Sequence, residues 1–532
     1  MVVAARSAFL MRWNLGPGWS LRNGALDPRL GQDITSARGG QERTDGLTRP
    51  ALTRSLGAVA ALLTIAVYAR ALTLGFYSDD YEWLARMAPT LARPDFIVSV
   101  LYRDFNPLLH ASFLADYLAG GGTPFTYHLS SLAGHAAVVL LVFFLAARLS
   151  GNVWLAFAAT ATWGIGVRMS EAVIWPAARG HVLAALFPLA AILLLRRGGA
   201  PRFRAALALF CCGLLSKETA LFPMLVAPWM IEDRALRRRL IVAVGALAVA
   251  FVLLNLAIKP SFHSARPSIW AAVRNLPFIV LRPLSLGDWY RFTVPGFAAF
   301  AIATVAVVAV TWRSPSRSGV LWVLLCALPI LFNEKVSSRY LYLSSVGIPL
   351  AVSGLTRHPV ALRLSCGARR LVFGLVLAGA AILFVSNAVF VQREIDDYRV
   401  LAAPYARCME ALRPAAKALA PGATLTVVET VPHLAIPELR AIVQARGNIN
   451  KLIPERDTAV GGLIQLSDAI NIARGRGSTF AIAAPSDLSH ADSVVTWNGA
   501  RIEPAEGREG GAVRSARLVP VAQYMQAART SR

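Results

Sequence analysis

The chain has 532 residues, a formal net charge of +24, 56% hydrophobic residues and only 16% charged ones, with a mean hydropathy of +0.52. Soluble domains carry nearer a quarter charged residues, so one large soluble globule is excluded. The basic excess is not a nucleic-acid footprint either. Arginines cluster in alternate breaks between apolar blocks, and no basic stripe with interleaved aromatics occurs.

Residues 1–54 are Arg- and Gly-rich, lack the compact apolar core of a signal peptide, and read as a cytoplasmic tail, with Met11 as a second available start. Apolar blocks then follow at the length that crosses a bilayer. About eleven spans are expected, near 55–75, 129–148, 152–167, 178–195, 203–216, 219–232, 239–258, 296–312, 319–333, 340–356 and 370–391. The breaks that carry Arg196, Arg197, Arg202 and Arg204, then Arg234 and Arg237 to Arg239, then Arg313 and Arg317, then Arg357 to Arg370, are the basic ones. The positive-inside bias places these in the cytoplasm and the 76–128 loop outside. That loop reads as amphipathic helices on the membrane surface. A second outer loop, 259–295, is rich in Pro, Arg and Trp.

Hydropathy drops from Arg393 onward, and 424–429 and 479–484 read as strands. The expected fold is a polytopic α-helical membrane protein with a small C-terminal α/β extracytoplasmic domain. Its parts are the tail 1–54, a transmembrane domain 55–392 and the α/β domain 393–532. The five cysteines, Cys211, Cys212, Cys326, Cys366 and Cys408, show neither a disulfide framework nor zinc spacing.

On this topology most strongly charged motifs fall at one membrane face. They are Asp79, Asp80 and Glu82 after the first span; Arg103, Asp104, Asn106 and His110 further along that loop; and His128 at the second span. Glu171, Arg179 and His181 follow, then Lys217 and Glu218, then Glu334, Lys335, Arg339 and Tyr340. Carboxylates can deprotonate an acceptor hydroxyl or hold a divalent cation such as Mg²⁺ or Mn²⁺. Arginine and lysine can neutralise a phosphate leaving group. The same residues also have structural readings. Asp79 and Asp80 suit a helix cap, and Arg339 suits a snorkelling side chain.

Phe76-Tyr-Ser-Asp79-Asp80-Tyr81, Asn106-Pro107-Leu108 and Tyr127-His128-Leu129 resemble the first-loop pattern of the GT-C membrane glycosyltransferases. Ser170-Glu171-Ala172-Val173 with Ala178-Arg179-Gly180, Leu215-Ser216-Lys217-Glu218, and Ser338-Arg339-Tyr340-Leu341 resemble motifs of the TMTC-type protein O-mannosyltransferases. The resemblance spans about 70–350. It implies a multi-pass enzyme of the cell inner (plasma) membrane that moves a sugar from a polyprenyl-phosphate donor with inversion. The acceptor would be a protein, glycan or lipid hydroxyl on the outer face. It further implies Asp79 or Asp80 as the catalytic carboxylate, assisting the acceptor hydroxyl as a general base, and Arg339 and Lys217, with Tyr340 beside them, as donor-phosphate ligands. His128, Glu171, Arg179, His181 and Glu218 are the candidate substrate contacts. The chain departs from that family in lacking C-terminal tetratricopeptide repeats. A transporter or flippase of a lipid-linked or anionic solute is the competing reading. It calls for charges at the bilayer midplane and repeat symmetry, whereas here the charges sit at span ends.

Overall fold

The computed structural model describes residues 50–77, 79–98, 105–166, 169–258, 269–281, 294–312, 314–332, 338–357, 365–418, 425–429, 493–497 and 502–504. The chain divides into two units, Met1–Arg54 and Ser55–Arg532; of the first, only residues 50–54 are among those described. The candidates Arg103, Asp104, Glu334 and Lys335 and the strand expected at 479–484 lie outside the described residues.

The second unit is mostly helical. Among the described residues five helices are long and apolar enough to cross a membrane by length and composition: Pro50–Thr73, Pro124–Ser150, Pro176–Leu195, Arg234–Ile258 and Gly367–Ala403. Val153–Gly164, Ala298–Thr311 and Ser316–Leu331 are shorter apolar helices. Two of the expected spans are broken rather than continuous. The stretch 219–232 runs as Glu218–Ala220, Leu221–Val226 and Ala227–Met230, because Pro223 and Pro228 each remove a backbone donor. The stretch 340–356 splits into Leu341–Ser345 and Gly347–Gly354; Pro349 has no N–H to give the Ser345 carbonyl.

Local sequence sets the remaining joints. Pro124 opens the longest buried span in its first turn, and Gly151 closes it with φ at 67°, a conformation that favours glycine. Asn152 then caps the next helix, its side chain accepting from the Trp154 and Leu155 amides at 3.0 and 3.1 Å. Gly319 and Gly347 let Ser316–Leu331 and Gly347–Gly354 touch backbone to backbone; a Cβ on Gly319 would overlap the Ala351 nitrogen. Phe113, Tyr127, Phe143, Tyr68 and Tyr342 are the large side chains of the shared core.

The outer loop is helical where described: Asp79–Ala85, Met87–Ala92 and Pro107–Gly120. The last helix, Cys366–Ala418, has 53 residues, more than twice what a bilayer crossing needs. Beyond it β1 (Leu425–Glu429) pairs in parallel with β2 (Ser493–Trp497), and β2 pairs antiparallel with β3 (Ile502–Pro504). The strand expected over 424–429 is thus β1.

Candidate functional site

The loop that leaves the first span delivers two adjacent carboxylates to different fates. Asp80 is 0% exposed. Its Oδ2 accepts from the Tyr77 amide at 2.9 Å and its Oδ1 from the Ala177 amide at 2.8 Å. It therefore does not cap its own helix: it fastens the loop to the 3-10 turn Pro176–Arg179. Burial pushes its carboxyl up to about 8, and the two backbone donors oppose that only in part. Asp79, one residue earlier, is half-buried. Trp175 strengthens the same joint by donating its indole N–H to the Tyr77 carbonyl at 3.1 Å. Burial, with Asp79 next to it, keeps the Tyr77 phenol protonated.

Arg339 enters from the turn Ser338–Tyr340, 168 residues from its partner. Its Nη1 meets Glu171 Oε1 at 2.5 Å, and its own backbone N–H donates to Glu171 Oε2 at 2.9 Å. The guanidinium lies 4.7 Å from the Trp175 ring centroid and 5.0 Å from that of Tyr340, both within cation–π range. Burial works against its charge, but Glu171, Tyr340 and Asp79 outweigh it and raise its pKa, so the group stays cationic. The Glu171 side chain is 1% exposed and the Arg339 side chain 24%. The carboxylate is sealed, and the arginine side chain keeps partial exposure.

His181 links this pair to Lys217. Its ring packs edge-on against Tyr340 at 5.4 Å, and both Lys217 and Arg339 lie within its electrostatic reach. The Lys217 stem passes over Gly180, where an added Cβ would sit 3.6 Å from its Cδ. Lys217 Nζ stands 3.8 Å from Glu218 Oε1, the long end of ion-pair distance. Asp79, Glu171, Arg339, Tyr340, His181, Lys217 and Glu218 are thereby assembled from four separate stretches of chain.

Arg179 belongs to a second, closed cluster. Its Nη1 meets Asp116 Oδ2 at 2.6 Å, Nε donates to Ser131 Oγ at 3.0 Å and Nη2 to the Tyr127 carbonyl at 2.7 Å. Asp116 also accepts from Ser130 Oγ at 2.7 Å. His128 is buried beside it, with neither ring nitrogen in a hydrogen bond of good geometry among the described residues. His110 is pinned to Thr90 Oγ1 at 2.8 Å; burial and then Arg86 push it down to about 4, so its ring is neutral. Sequence reasoning missed Asp116, Tyr77 and Trp175. Tyr77 and Trp175 had a usable signal, the first inside the Phe76–Tyr81 motif and the second an aromatic next to the Ser170–Val173 motif.

Among the described residues no group of three His, Cys, Asp or Glu side chains stands close enough to hold a metal. Asp80 commits both oxygens to amides and Glu171 both to Arg339. These residues do not form a protein cage for Mg²⁺ or Mn²⁺.

No family model matches the chain. The Protein O-mannosyl-transferase Tmtc1 of Drosophila melanogaster is 31% identical over 181 residues, covering 31% of this chain and 21% of that protein. The resemblance read from the motifs is borne out by this match, which spans about a fifth of the relative's length. Two solved structures of ArnT from Cupriavidus metallidurans are also similar. The apo form has a TM-score of 0.45 at 15% identity, over 74% of this chain and 85% of that one. The undecaprenyl phosphate-bound form has 0.42 at 16%, over 73% and 85%. At these scores and identities no residue role transfers from them.

Proposed function

We propose that this protein is an integral membrane glycosyltransferase of the GT-C class. It moves a sugar, with inversion, from a polyprenyl-phosphate donor to an acceptor hydroxyl at the outer membrane face. The observation that carries the reading is the partly exposed Arg339 side chain, paired with buried Glu171, flanked by Trp175 and Tyr340, and within electrostatic reach of Asp79. A fixed cation beside a half-buried carboxylate is what a displacement at a sugar phosphate needs. The match to an O-mannosyl-transferase supports a hexose such as mannose as the sugar.

In the reaction, the acceptor oxygen attacks the anomeric carbon while its proton passes to the Asp79 carboxylate. The bond from that carbon to the phosphate oxygen breaks, and its electron pair leaves on the phosphate. Arg339 and Lys217 neutralise that charge, with Tyr340 beside them. Asp80 positions Asp79 by holding the loop. Glu171, His181 and Glu218 orient the cations, and Arg179 and His128 support them from behind. The remaining architecture is part of the same proposal: about eleven spans, with the 1–54 tail cytoplasmic. The 55–392 domain carries the site, and the α/β domain 393–532 is extracytoplasmic and shapes the acceptor side, in an inner (plasma) membrane.

The test is transfer of label from radiolabelled polyprenyl-phosphate hexoses and pentoses to envelope extract by the full chain in nanodiscs. Transfer by wild type and not by Asp79→Asn is the expected result. Failure of wild type with every donor, under conditions where it stays folded, overturns the proposal.

A further inference from the structure

The last helix continues beyond its apolar stretch and carries Tyr398 into the back of the site. The Tyr398 ring packs edge-on against Tyr77 with centroids 6.1 Å apart. Tyr77 is the residue whose amide Asp80 holds and whose carbonyl Trp175 binds. The turn that bears Tyr398 is fixed in register against the first span. Arg70 Nη2 meets Asp396 at 2.7 Å, Arg399 meets the same carboxylate at 2.8 Å, and Gln392 Nε2 donates to the Val67 carbonyl at 2.6 Å.

Tyr398 is 3% exposed, and its hydroxyl has no hydrogen-bond partner among the described residues. A buried hydroxyl without a partner is destabilising, and phenylalanine would fill the same space without that penalty. The hydroxyl cannot swing to solvent, because the helix that carries it is tied at two turns. Its electrostatic neighbours are Glu171, Glu394, Tyr77 and Arg339, of which Glu171 and Arg339 form the ion pair of the site. A buried hydroxyl without a protein partner among the described residues, within electrostatic reach of the Arg339 cation, is a position that a ligand oxygen can satisfy.

We propose that the Tyr398 hydroxyl is a substrate-contacting group, donating a hydrogen bond to an oxygen of the donor's sugar-phosphate head. The proposal rests on the polyprenyl-phosphate reading of the site. It deepens that reading by adding a residue from the last helix, outside the stretch 70–350 that carries the sequence motifs. The oxygen belongs to the sugar or to the phosphate, and the two arms of the experiment separate them.

Tyr398→Phe and wild type are compared as full chains in nanodiscs, by thermal unfolding and by transfer kinetics with the labelled donor that wild type uses. The expected result is an unchanged or higher unfolding midpoint together with a KM for donor raised about five- to tenfold if the bond goes to a sugar oxygen, and about 10–100-fold if it goes to the phosphate charge. Polyprenyl phosphate without sugar then serves as a competitive inhibitor. A Ki that rises in parallel places the bond on phosphate; an unchanged Ki with the raised KM places it on the sugar. Unchanged kinetics overturn the Tyr398 assignment alone. So does a variant that melts earlier or fails to fold, because the hydroxyl then has a structural partner. A folded wild type inactive with every donor overturns the proposed function and this assignment with it.

Discussion

Arg179 and Arg339 each meet a carboxylate in the protein interior, yet the two pairs are built for opposite ends. In the Arg179–Asp116 pair the side chains are 3% and 10% exposed, and the remaining guanidinium contacts go to Ser131, Ser112 and the Tyr127 carbonyl. Every direction of that fork ends on protein. In the Arg339–Glu171 pair only the carboxylate is sealed, and the arginine, against Trp175 and Tyr340, keeps partial exposure. A symmetric buried pair is a joint, since its desolvation is repaid only by complete internal partners. An asymmetric one, on the function proposed above, serves to present a charge to the donor phosphate. The same split divides the adjacent carboxylates: Asp80 is consumed by two backbone amides and Asp79 is not buried.

Substitutions can break or sharpen this contrast. The largest effect is expected at the half-buried carboxylate proposed as the base. Asp79→Asn should lower transfer about 10²–10⁴-fold, the range for loss of a general base, with no change in the unfolding midpoint; near-normal turnover would move the base elsewhere. Arg179→Ala should act on folding, because it strands the Asp116 carboxylate in the interior. Destabilisation of about 3–5 kcal/mol is expected for one partner of a buried pair, measured by unfolding in detergent. An Arg179→Met/Asp116→Leu double variant should recover most of it, and an unshifted single variant would show that the joint bears no load.

Arg339→Lys keeps the charge and loses the planar fork and ring stacking. A fall in kcat/KM of about 10–100-fold follows from losing a hydrogen bond between charged groups, and stability should change less than in Arg179→Ala. Equal losses of stability in the two would erase the distinction between joint and partly exposed charge.

The smallest effect concerns Asp80 and pH. Its carboxyl stands at about 8 in the folded chain against a reference of 3.8. The folded protein therefore keeps a proton that the unfolded chain releases. The stability linked to it is full below about pH 3.8 and is lost as pH rises through 8. Unfolding midpoints of wild type should decline across that window more steeply than those of Asp80→Asn. Parallel profiles would show that Asp80 is ionised throughout.

Much of the site was legible because its chemistry is carried by short local motifs. Asp79-Asp80, Glu171, Lys217-Glu218 and Arg339-Tyr340 each stood out as charge where an apolar chain has little reason to hold any. Asp116 did not: one carboxylate in the run Leu114-Ala-Asp116-Tyr117 has no pattern around it, and its meaning comes from Arg179 across the fold. Tyr398 was equally silent, since a tyrosine near the end of an apolar helix reads as an interfacial residue. The positions of broken helices were half legible, through Pro223, Pro228 and Pro349, while their consequence for span count was not.

Composition and hydropathy alone determined that this is a multi-pass membrane protein, because burying so many apolar residues in so few polar ones admits few other solvents. Tertiary structure alone decided which of two adjacent aspartates is consumed by the backbone and which of two paired arginines keeps partial exposure. Both outcomes depend on partners about 100 to 170 residues away for Asp80 and Arg339. Pairing between such distant positions is set by how helices pack, and no local sequence window contains it.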